Sequence, residues 1–155
     1  MVDAKKATTW LAICVGCVAS FEGLRTVAYR DPVGIPTVCF GETEGVRLGD
    51  SYSVEECRAL LGDRVVAFGQ AVDRCVTAEL PPARKAALVS FAYNIGVSAF
   101  CGSTLVRKLN SGDVYGACNE LPRWKNATRL GVRVELPGLV KRRQQERQLC
   151  LEGTP

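Results

Sequence analysis

Glu22, Asp31 and Thr37 lie within one short stretch, FEGLRTVAYRDPVGIPT (21–37), in which a second acid follows the first by nine positions and a threonine follows by six more. Two carboxylates and a hydroxyl suit glycoside hydrolysis. One acid protonates the leaving oxygen while the other, across the sugar, handles a water or the oxocarbenium charge. Acid pairs nine apart are common in proteins, so the spacing raises this chemistry without selecting it.

The rest of the composition narrows the alternatives. The chain has no histidine, which excludes His-based triads and His-ligated metals and leaves carboxylates, hydroxyls and thiols. Eight cysteines are present, at 14, 17, 39, 57, 75, 101, 118 and 150, and only Cys14 and Cys17 form a CxxC. Zinc needs a second close pair, and there is none, so no metal or cofactor is expected. A thioredoxin-type CxxC follows a strand in a βαβ pattern, whereas this one sits in a helix-like apolar segment. The cysteine count points instead to an oxidising compartment such as the periplasm. Eight cysteines can pair in about 105 ways, so the count leaves connectivity open.

At 155 residues the chain fits one domain, or two lobes sharing a helix, and can bury a core without staples. The net charge of +4 (20 basic, 16 acidic) eases approach to an anionic polymer without naming one. Basic residues concentrate in KRRQQER, 141–147. Without interleaved aromatics this reads as a solvated helix face rather than a nucleic-acid groove.

The elements that must position the acids follow from periodicity. Residues 1–8 read as a tail and 9–21 as a first helix, with Trp10, Ile13, Cys14, Cys17, Val18 and Phe21 on one face. The fifteen uncharged residues 7–21 that follow Lys5 and Lys6 also suit a weak export segment, although they fall short of the roughly 20 a spanning helix needs. Residues 22–53 read as a sheet lobe, with short hairpin strands in GIPTVCFGETEGV (34–46). Ser53 and Glu56 form a capping box that starts a linker helix over 54–73. The remainder, 74–155, reads as a helical lobe: a central buried helix ending at Gly96, shorter helices over 98–110 and 113–121, and a last one over 137–150. This is an α+β fold, helix, small antiparallel sheet, then helices to the end. Glu22 then ends the first helix, Asp31 sits in the turn entering the sheet, Thr37 starts a strand, and all three can face one cleft. Pairing within lobes joins Cys75 to Cys101, which flank the central helix; Cys39 with Cys57 and Cys118 with Cys150 are the further candidate pairs.

FEGLRTVAYRDPVGIPT followed by CFGET resembles the signature of the phage-type lysozymes, glycoside hydrolase family 24: Glu, eight residues, Asp or Cys, five residues, Thr. The resemblance continues through SYSVEECRALL, ARKAALVSFAYNIGVSAF, STLVRKLNSGDVYGACNELPRW and PGLVKRRQQERQLCLEG, covering about residues 10–153, and is nearest to endolysins of phages or prophages of Gram-negative hosts. It implies a lysozyme fold and cleavage of the β-1,4 bond between N-acetylmuramic acid and N-acetylglucosamine in peptidoglycan, for host lysis. Glu22 would be the general acid, with Asp31 and Thr37 positioning the attacking water or stabilising the developing charge. Tyr29 and Gly41 match the cleft region, and Arg142 or Arg143 would hold Glu22. Many members carry His where Glu42 stands. Glu42 therefore either replaces a structural contact or, if beside Asp31, raises that residue's pKa. The resemblance further implies a monomer acting in the periplasm on glycan strands, without nucleic acid. Transient inner-membrane tethering or release from the cytoplasm by a holin would bring it there. A non-catalytic wall-binding module and a thiol redox protein using Cys14 and Cys17 are the alternatives; the first would have lost the acids.

Overall fold

A computed structural model describes residues 4–152, with side chains from residue 9 onward. The first helix, α1, spans Ala4–Glu22, so it begins ahead of position 9. Residues 1–3 of the expected tail, and the side chains of Lys5 and Lys6, lie outside the described residues. Cys14 and Val18 are fully buried, and Trp10, Ile13, Cys17 and Phe21 flank them half-buried. Gly23, at φ +72°, ends the helix in the left-handed conformation that glycine adopts without steric penalty. Glu22 is thereby left as the last helical residue.

Strands β1 (Arg25–Arg30) and β2 (Pro36–Cys39) pair antiparallel, with Tyr29 opposite Thr37. The first strand lies upstream of the stretch expected to hold the hairpin: RTVAYR supplies β-branched and aromatic residues, while 40–46 form a turn closed by a Val38–Glu42 bridge. Helix α2 (Val54–Cys75) begins at the capping box. The Ser53 hydroxyl accepts from Glu56 N at 3.1 Å, and Glu56 Oε2 accepts from Ser53 N at 2.7 Å.

Helix α3 (Pro82–Ile95) starts with proline at its first turn and ends at Gly96, φ +91°. Its residues Ala86–Ala92 are all buried, because α1, α2 and α7 (Pro137–Leu151) pack around it. The helix expected over 98–110 is two, α4 (Val97–Cys101) and α5 (Thr104–Asn110), since Ser103 breaks the ladder to cap α5 through Val106 N. Helix α6 (Val114–Cys118) and a 3-10 turn, Leu121–Arg123, follow.

Helices do not then continue to the end. A second antiparallel hairpin, β3 (Asn126–Arg129) and β4 (Val132–Glu135), precedes α7. Its two-residue loop places Leu130 and Gly131 at φ 50° and 77°, the positive values of a primed turn matched to strand twist. Leucine rarely adopts that conformation, so Leu-Gly hides a turn that Asn-Gly would have announced.

Three disulfides link these elements. Cys39–Cys57 joins β2 to α2, Cys75–Cys101 joins α2 to α4, and Cys118–Cys150 joins α6 to α7, with Cα separations of 4.9, 5.6 and 5.7 Å. All three separations fall within the span of a disulfide.

Candidate active site

Glu22 reaches the site from the end of α1 and meets a guanidinium from α7. Arg142 Nη1 donates to Glu22 Oε1 at 2.7 Å. The arginine is only 4% exposed, and its other donors are committed too. Nε donates to Glu146 Oε1 at 3.1 Å and Nη2 to the Ser90 carbonyl at 3.1 Å, while Phe21 lies against the cation, 4.8 Å from Cζ to ring centroid. A planar fork held on three sides and along one face cannot drift, so Glu22 Oε1 is fixed by a rigid donor.

Glu22 Oε2 receives no hydrogen bond from the described residues. It faces Gly41, at φ +83°, where an added Cβ would lie 3.5 Å from this oxygen. The backbone before Gly41 is held in turn by Tyr93 of α3, whose hydroxyl donates to the Phe40 carbonyl at 2.8 Å. Burial, together with the neighbouring Glu22 and Glu42 charges, pushes the Tyr93 hydroxyl up to about 12, so it stays a donor. A cavity of ≈ 530 Å³ opens beside Glu22, lined by Phe21, Asn94, Arg129, Leu136–Leu139 and Arg142. The unexpected hairpin thus walls the cleft through Arg129.

Asp31 and Thr37 are brought together through Ile35. Asp31 Oδ1 accepts from Val33 N at 2.9 Å and Ile35 N at 2.8 Å, and the Thr37 hydroxyl donates to the Ile35 carbonyl at 2.9 Å. Asp31 Oδ2 has no protein partner among the described residues, and it can accept from a water. Thr37 is 4% exposed, and with its proton committed the hydroxyl can only accept. Neither lines the cavity at Glu22, and neither bonds to Glu22. Tyr29 is also outside that cavity; Arg25 lies 4.4 Å from its ring centroid.

Glu42 turns away from Asp31 to α2, where Arg64 Nε donates to Oε2 at 2.7 Å and Nη2 to Oε1 at 2.9 Å. The Arg64 bond holds its carboxyl below the usual range, helped by the Thr43 and Glu44 N–H groups. Glu42 is thus a tie between the loop after β2 and α2.

The basic run 141–147 is not a uniformly solvated face. Lys141, Gln144 and Gln145 are exposed, but Arg142, Arg143 and Glu146 are buried. Arg143 does not hold Glu22: it donates to both oxygens of Glu146, to the Trp124 carbonyl and to Asn94 Oδ1. Ser90, Asn94 and Glu146 escaped sequence reasoning. Their signal was two polar residues four apart in the central buried helix, facing a run with Arg-x-x-x-Glu spacing.

Cys14 and Cys17 are free thiols. Burial pushes Cys14 up to about 12 and raises Cys17 as well, the reverse of what a redox thiolate needs. Among the described residues no cluster of metal-ligating side chains forms.

One carboxylate anchored by a buried arginine, its second oxygen open to a cleft between helices and a hairpin, defines a lysozyme-like glycoside hydrolase. The SAR-endolysin of bacteriophage PS119 is 40% identical over 133 residues, covering 85% of this chain and 77% of that one. The SAR-endolysin of Pseudomonas phage phiKMV is 34% identical over 142 residues, covering 92% and 88%. The muramidase domain of SpmX from Asticaccaulis excentricus has the same fold, with a TM-score of 0.84 at 35% identity over 92% of this chain and 95% of that one. The phage lysozyme family model matches residues 19–146, and the chain belongs to that family. It is a peptidoglycan-hydrolysing endolysin, a glycoside hydrolase of the muramidase type.

Proposed function

We propose that Glu22 is the general acid for cleavage of the β-1,4 bond between N-acetylmuramic acid and N-acetylglucosamine. The observation that carries this is the asymmetry of its carboxyl: Oε1 is clasped by Arg142 while Oε2 is left open beside Gly41. In the reaction Glu22 gives its proton to the glycosidic oxygen as the C1–O bond breaks. A water held by Asp31 Oδ2 and the Thr37 hydroxyl attacks C1 from the opposite face, and Asp31 takes the water's proton. The new reducing end carries inverted configuration.

The same reading places the enzyme in the periplasm, tethered to the inner membrane before release. The naming of the two phage relatives as SAR-endolysins supports it, as does the uncharged run 7–21. No helix among the described residues is long and apolar enough to cross a membrane.

Glu22→Gln tests the acid. It removes the transferable proton with little change in volume, and turnover on peptidoglycan is expected to fall about 10²- to 10⁴-fold with the fold intact. Near-parental lysis at matched folded concentration sinks the assignment.

A further inference from the structure

The cleft depends on a carboxylate that never touches it. Glu146 is fully buried, one turn beyond Arg142 on α7. Its Oε1 accepts from Arg142 Nε at 3.1 Å, Arg143 Nη1 at 2.9 Å and the Ser90 hydroxyl at 3.0 Å, and its Oε2 accepts from Arg143 Nη1 at 2.7 Å. We propose that Glu146 is a positioning residue for Glu22, occupying one edge of Arg142 so that a single N–H reaches a single oxygen of the acid.

The physical reason lies in what an arginine does when unrestrained. A guanidinium beside a carboxylate favours two parallel N–H bonds, one to each oxygen. That arrangement would occupy Glu22 Oε2, the oxygen from which the proton must leave. Ser90 of α3 closes the Nη1–Nη2 edge by taking Nη2, and Glu146, by taking Nε, closes the remaining Nε–Nη2 edge and fixes the orientation in which Nη1 alone faces Glu22. Glu146 also opposes the charge of Arg142, which would otherwise act on Glu22 undiluted and favour its ionised form.

Few other charges compete for these two acids. Facing Glu146 are Arg142 and Arg143 from its own helix, Ser90 from α3, and the Cys14 and Cys17 thiols of α1, which burial keeps protonated. Trp124, which follows the 3-10 turn, offers its carbonyl to Arg143, and the nearby Cys118 and Cys150 are closed in their bridge. Facing Glu22 are Arg142, Arg143 beside it on α7, Arg129 across the cavity, and Tyr93. The position of Arg142, set by Glu146, therefore governs both the geometry and the charge at Glu22.

The inference rests on Glu22 being the acid, and the test separates the two. In the oxidised full chain, kcat and KM are measured against pH on a soluble peptidoglycan fragment, per folded molecule, for the parent, Glu22→Gln and Glu146→Gln. Glu146→Gln is expected to leave KM within about twofold and to move the alkaline limb of kcat down by about one pH unit, tenfold in rate above the limb. If it does not fold, the double variant Glu146→Gln with Arg143→Gln removes the excess buried charge yet still leaves Arg142 without its carboxylate; the limb is expected to move in the same direction but less far, because the Arg143 charge near Glu22 is lost as well. An unmoved limb in whichever variant folds overturns the inference, because a merely structural Glu146 would change the folded yield alone. An active Glu22→Gln overturns the function itself, whatever Glu146 does.

Discussion

Replacing Gly69 by alanine should destabilise the protein only while Trp10 is present. Gly69 is buried in the middle of α2, and a Cβ added there would lie 2.5 Å from Trp10 Cη2 and 3.0 Å from Cζ2. The indole is also held from above, with Lys85 Nζ 4.6 Å from its centroid and that ammonium paired to Asp73 at 2.8 Å. To reach an ordinary carbon contact the ring must retreat by about 1 Å. Overpacking of this kind costs about 1–3 kcal/mol, including some of a cation–π contact of about 0.5–1 kcal/mol. Alanine in a helix interior returns about 1 kcal/mol relative to glycine. The net expectation is a loss of about 1 kcal/mol. In a Trp10→Ala background the clash is gone, and the same substitution should stabilise by about 0.5–1 kcal/mol, a change of sign. Guanidinium unfolding of the four oxidised variants, followed by circular dichroism, measures this. Equal stabilisation of both backgrounds would refute the seating of α1 on α2 through Trp10.

The Glu42–Arg64 pair makes stability depend on acid. Because the folded-state pKa of Glu42 is depressed, its contribution is present above the ordinary carboxylate pKa and is lost as pH falls through the lower folded value; Arg64→Ala should flatten that slope in urea titrations between neutral and acidic pH. NMR of early product should show the α anomer, and retained β configuration would make Asp31 a nucleophile instead. Non-reducing peptide mapping of periplasm-derived enzyme should recover Cys75 joined to Cys101, and finding Cys75 free contradicts the bridge. Fractionation of cells expressing the full chain should reveal a membrane-bound or periplasmic pool before lysis, whereas an exclusively cytoplasmic pool leaves 7–21 as an ordinary first helix.

Most of what was legible in the chain was local. Ser53 and Glu56 lie three apart, so their reciprocal caps depend on nothing distant. The proline start and Gly96 stop of α3 are likewise written in adjacent residues, whereas Asp31, expected in the turn entering the sheet, lies in the turn between β1 and β2. The hairpin at 126–135 was missed because its turn uses Leu130, whose positive φ is sustained by strand pairing rather than announced by residue type. The 98–110 helix is too long despite a signal the residues do carry: Gly102 stops α4 and Ser103, a favoured cap, starts α5 by bonding Val106 N.

The sequence by itself determined the periods of the longer helices, the helix–sheet–helix order as far as Gly96, and the Glu–Asp–Thr spacing with its family resemblance, since each rests on residue type over a short range. Only the tertiary structure decided which arginine serves Glu22. Arg142 and Arg143 are adjacent and chemically identical, but neighbouring helical positions differ in direction by about 100°. That rotation carries Arg142 to a carboxylate 120 residues away and Arg143 to Asn94 and Trp124. It decided equally that Glu146 is buried between two cations instead of solvated, because burial depends on what packs over a helix face, and that is set by α1 and α3 rather than by the seven residues of the run.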